Sequence, residues 1–84
     1  MYQKIMNILN EKEHTVVSGK SKENLTPIAN EQKSFERIFS NEKHYVNNLI
    51  DFTYDAKGEL LKITITIREK GLYGFKYYYY VINF

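Results

Sequence analysis

Val17-Ser18-Gly19-Lys20-Ser21 is the stretch of this chain that comes nearest to a phosphate-binding loop. Such a loop needs a second glycine five residues before the Gly-Lys pair, so that successive backbone N–H groups can wrap the phosphates. That position holds His14, and a short chain has no room for the parallel sheet that carries the loop. The stretch therefore reads as a polar turn between other elements.

The remaining polar residues are as sparse. His14 and His44 are the only histidines, and neither has another histidine three or four residues on. A zinc site needs several N, S or O ligands converging at fixed spacing, so both read as surface residues and no metal is expected. Asp51, Asp55 and Glu59 surround one turn, but acid–base or glycosidase chemistry needs two carboxylates across a cleft. A hairpin tip is convex, and Asp55 already suits the first position of the turn. There is no cysteine, which removes disulfides, thiolate ligands and a thiol nucleophile. With no motif for a Ser–His–acid arrangement either, the expectation is a protein that is not an enzyme and carries no cofactor.

What calls for explanation is the aromatic C-terminal strand. Gly74, Lys76, Tyr78, Tyr80 and Ile82 share one face, while Tyr73, Phe75, Tyr77, Tyr79 and Val81 share the other. A strand covered on one side alternates apolar with polar, and this one is aromatic on both. If Lys76 marks the solvent side, Tyr78 and Tyr80 point outward beside Lys62 and Arg68 of the neighbouring strand. Tyr joins a large apolar body to a polar tip and is enriched at interfaces. The expected partner-binding set is accordingly Tyr78, Tyr80, Lys76, Lys62 and Arg68. Should those rings prove to be core, the Gly19 to Asn24 loop is the next candidate surface.

The elements that position this strand follow from periodicity. Tyr2, Ile5, Met6 and Leu9 are spaced for an amphipathic helix over 2–12. Thr15-Val16-Val17 could form a short strand. Thr26-Pro27 offers an N-cap oxygen and a proline for the first helical position, which predicts a helix over 27–40 with Ile28, Phe35, Ile38 and Phe39 on one face. Residues 41–46 fit either helix or strand. Beyond them, alternation predicts strands at 45–54, 60–68 and 73–82, joined by Asp55-Ala56-Lys57-Gly58 and by Glu69-Lys70-Gly71-Leu72. The predicted fold is α+β, with one or two N-terminal helices packed on one face of a three-stranded antiparallel meander. It is read as a single domain over 1–84, helical to about 42 and a meander from about 44. Phe35, Phe39, Phe52, Leu61, Ile63, Ile65 and Ile67 are the expected core.

Bulk properties bound the function. The 84 residues form one small domain, and at that size folding buries only about 60% of the unfolded surface. The 12 basic and 10 acidic residues are interleaved, without the clustered basic face typical of phosphate binding. No apolar run is long enough to cross a membrane, and no signal-peptide pattern is visible, so a cytoplasmic location is the default. Abundant Lys, Asn, Ile and Tyr point to an A/T-rich source, such as a low-GC bacterium, its phage or another mobile element. The leading expectation is a small non-enzymatic protein that binds another protein, as an inhibitor, immunity or regulatory protein. It uses the Tyr-rich sheet face or edge, or associates with itself through the last strand, unless Thr15-Val16-Val17 of the same chain covers that edge. The alternative is single-stranded nucleic-acid binding on the same aromatic and basic face.

Overall fold

The structure is a computed structural model, and it describes residues 2–29 and 45–84. The described chain is one helix and five strands: α1 (Tyr2–Glu11), β1 (Thr15–Gly19), β2 (Thr26–Pro27), β3 (Tyr45–Tyr54), β4 (Leu60–Gly71) and β5 (Gly74–Asn83). The strands form one antiparallel sheet in the order β2-β1-β5-β4-β3. The predicted α+β fold, a three-stranded meander carrying one or two helices, is thus replaced by a mostly β fold, with a five-stranded sheet and one short helix among the described residues.

Thr26-Pro27 accounts for part of the difference. A residue before proline is pushed towards extended backbone, and proline is tolerated in a strand that lies at a sheet edge. Here Thr26 pairs with Ser18 and Pro27 with Val17 at the outer edge of the sheet. The Thr26 hydroxyl donates to the Ser18 carbonyl at 3.4 Å instead of capping a helix. The Ile28 N–H then donates to the Val16 carbonyl at 3.1 Å. From residue 30 the predicted 27–40 helix lies outside the described residues, as do Phe35, Phe39, His44 and the ambiguous stretch up to residue 44.

The core is a patch of isoleucine. Ile63, Ile65 and Ile67 of β4 are buried with Ile82 of β5, Val16 of β1 and Ile5 of α1. Register explains the grouping, because directly opposed residues share a face. Ile63 pairs with Phe52 and Ile82, Ile65 with Ile50 and Tyr80, and Ile67 with Tyr78. On the other side of β5, Val16 pairs with Ile82. The helix seals this face with Ile5, supported by Met6, Ile8 and Leu9, and a Lys12 N–H to Ile8 carbonyl bond of 3.0 Å closes its last turn.

Leu61 departs from the expected core and is 46% exposed. Thr53 pairs with Lys62 but Tyr54 pairs with Leu60, so Leu61 is the extra residue of a β-bulge. A bulge reverses the facing of the residues beyond it, and Leu60 packs against the core in its place. The adjoining turn is built around Asp55, whose Oδ1 accepts from the N–H groups of Lys57 at 2.8 Å and Glu59 at 2.9 Å. Gly58 supplies its positive φ of 83°.

Truncating Ile65 to Ala is expected to destabilise the domain by about 2–5 kcal/mol, read as a lower urea midpoint. Leu61→Ala, at the bulge, should stay within about 0.5 kcal/mol of the parent.

Candidate interaction surface on the last strand

β5 has two different faces and only part of an edge. Tyr78 and Tyr80 lie opposite Ile67 and Ile65 and pack against the core. Their predicted outward orientation is therefore reversed. Lys76 shares their face, opposite Glu69, but stands on the far part of the β4–β5 hairpin, where residues 74–77 are exposed. A charge at that end gives no clue to which face is buried nearer the helix, and that is why it misled the orientation.

The solvent side carries Phe75, Tyr77, Tyr79 and Val81, opposite Lys70, Arg68, Thr66 and Thr64 of β4. Phe75 is 47% exposed and Tyr77 42%. The rings of Tyr77 and Tyr79 stack with centroids 6.4 Å apart and planes 10° from parallel. A cation sits at each end of the row. The Arg68 guanidinium carbon lies 4.5 Å from the Phe75 centroid, and Lys22 Nζ lies 5.6 Å from that of Tyr79. Such contacts are favourable by roughly 0.5–1 kcal/mol at exposed sites. Arg68 Nε is buried and finds no acceptor.

Among the described residues, the edge of β5 is covered over only half its length. β1 pairs with residues 79–83 and stops at Gly19, opposite Tyr79. Residues 74–78 have β4 on one side and, among the described residues, no strand on the other. Which groups this leaves exposed follows from the ladder. The Phe84 N–H bonds the Leu61 carbonyl at 3.0 Å, and along an antiparallel strand the main-chain groups alternate sides. Lys76 and Tyr78 therefore bond towards β4, whereas Phe75 and Tyr77 direct both N–H and C=O into the uncovered edge.

The β1–β2 loop turns this edge into a cleft. An open cleft of about 660 Å³ lies between residues 20–23 and residues 75–79. Residues from both faces of β5 line it, so it runs along the strand edge. Lys20, Lys22 and Lys76 face it against Glu23 alone among charged residues. Gly19 makes the loop's path feasible, since a Cβ there would collide with the Asn24 backbone carbonyl.

The structure thus gathers only part of the predicted set. Arg68 and Lys76 belong to this region, Tyr78 contributes to the cleft wall while its ring packs on the core, and Tyr80 is half-buried against the core. Lys62, opposite Asn83, sits at the other end of β4, six residues or about 20 Å from Arg68. Phe75, Tyr77, Tyr79, Lys20 and Lys22 were not in that set. The alternation of β5 and the turn-rich Gly19–Lys22 stretch are the signals that carry them. At the opposite end of the sheet, His14 Nδ1 is 2.9 Å from the Lys12 carbonyl and its ring is tilted against Phe84 at 6.2 Å. No group of three His, Asp or Glu able to hold a metal ion occurs among the described residues. No helix among them is long and apolar enough to cross a membrane.

No protein-family model matches the chain, and no curated protein or solved structure matches it either.

The two Tyr pairs are expected to separate in mutants. Tyr78→Ser with Tyr80→Ser should abolish cooperative thermal unfolding, whereas Tyr77→Ser with Tyr79→Ser should leave a folded domain by circular dichroism. Gly19→Ala should cost about 1–3 kcal/mol and shift backbone amide resonances mainly over residues 19–25 and at Tyr79.

Proposed function

We propose that this domain is a non-enzymatic protein-binding module whose partner adds to the uncovered edge of β5 and covers its aromatic outer row. The observation that carries the reading is the half-covered edge. Unpaired N–H and C=O groups on an exposed strand are a ready template for another chain, and natural edges are commonly shortened, bulged or charged to prevent it. Here Lys76 is the one charge within residues 74–78, and the flanking Phe75 and Tyr77 are exposed large hydrophobics. Strand addition draws affinity from main-chain hydrogen bonds and specificity from alternate side chains, and this edge offers both.

A second reading is favoured by one specific feature, the ring row with a cation at either end. Stacked rings and nearby cations are what single-stranded nucleic acids need. The rings are already partly engaged, by each other and by Arg68 and Lys22, which leaves fewer free faces for bases. The protein reading therefore leads.

Proline at position 77 separates edge from face. Tyr77→Pro removes an N–H that points into the cleft and leaves the β4 ladder intact, while Tyr77→Val removes the ring but keeps the N–H. In affinity capture from cells of the source organism, the partner should be lost with Tyr77→Pro and only weakened by Tyr77→Val. Equal capture by both variants would refute strand addition. Capture of nucleic acid with an affinity falling steeply with salt would move the assignment to the second reading.

A further inference from the structure

We infer that the occupant of the β5 edge is an extended segment of another protein with an apolar–acidic–apolar pattern, and not a second copy of this chain. The inference rests on the protein-binding reading above and specifies its ligand.

Length comes first. The uncovered edge spans residues 74–78, and at about 3.4 Å per residue it holds a segment of about five residues. Such a segment lies in line with β1 and begins where Gly19 ends. Main-chain bonds would run to Phe75 and Tyr77, whose N–H and C=O point outward.

Side-chain pattern comes next. Residues opposed across a ladder share a face. Positions of the added strand opposite Phe75 and Tyr77 therefore join the aromatic row and favour apolar side chains. The position between them lies opposite Lys76, on the other face, where Glu69 is the neighbour of Lys76 on β4. Lys20 and Lys22 border the same cleft, Lys22 on the side of Tyr79, and Glu23 is the one acidic residue of its lining. A carboxylate at that position lies across from Lys76, in a cleft whose lining carries three lysines against one glutamate, so charge complementarity selects acid over base.

A second copy fits badly for the same reason. Pairing the whole free segment with its own twofold mate centres on Lys76 and sets Lys76 against Lys76. Like charges directly opposite each other destabilise a ladder, and both copies would bring Lys20 and Lys22 to the same seam.

The test uses the full chain and two short labelled peptides, one alternating valine with glutamate and one alternating valine with lysine. Binding is read by fluorescence anisotropy, and its site by amide hydrogen exchange. The acidic peptide should bind and slow exchange at the Phe75 and Tyr77 amides, and the basic peptide should not. Lys22→Glu with Lys76→Glu, both at exposed positions, should weaken the acidic peptide roughly tenfold and admit the basic one. Lys22→Gln with Lys76→Gln gives an intermediate loss and guards against a folding defect. If the basic peptide protects the same amides equally well, the acidic inference is overturned while strand addition stands. If neither peptide protects them, or if the apparent mass doubles and the amides are already protected by self-pairing, the inference is overturned together with the edge as a docking site for another protein.

Discussion

The pairing of β4 with β5 is the constraint on which the rest of this domain depends. It sets Ile63 against Ile82, Ile65 against Tyr80 and Ile67 against Tyr78, and so creates the apolar face that α1 closes. Full burial of an isoleucine side chain is worth about 1.5–3 kcal/mol, and five isoleucines among the described residues are fully buried. Slipping the register by one residue would turn every one of these side chains on the moving strand to the opposite face. The register is therefore fixed by burial near the helix, while the far end of the hairpin is held by the ladder and by side-chain contacts along its outer row.

That division has a consequence for the surface. The hairpin extends past the helix-covered region, to a tip where Leu72 is 96% exposed and Tyr73 fully so. The far part of β5 gains little from the core, and its outward rings are stabilised instead by one another and by Arg68 and Lys22. The aromatic row is thus structurally secondary and chemically available. The row contributes little to stability, whereas the alternate residues Tyr78 and Tyr80, which pack against the core, contribute much.

β1 decides how much of β5 can be reached. It enters beside the last strand, supplies Val16 to the core, and ends at a glycine where the chain folds back against itself. Had β1 continued, it would have completed the ladder and removed the edge. The tight approach of Asn24 to Gly19 instead diverts residues 20–23 beside the strand, bringing two lysines to the cleft. Cover and opening are produced by the same hairpin.

Local patterns already determine several parts of this protein. The Ile63–Ile67 alternation, the Asp55–Gly58 turn and the spacing of Ile5, Met6, Ile8 and Leu9 specify their elements through contacts between near neighbours. The tertiary structure alone decided which face of β5 is buried, because aromatic residues on both faces cancel the alternation signal and Lys76 lies beyond the core. It also decided that Leu61 is a bulge residue, which depends on the register of β3 across the turn, and that Thr26-Pro27 pairs with β1, since the same dipeptide suits a helix start or an edge strand. The placement of β1 beside β5 joins the two ends of the chain. No periodicity within either segment encodes that partnership; it is selected by the apolar area the two strands bury together.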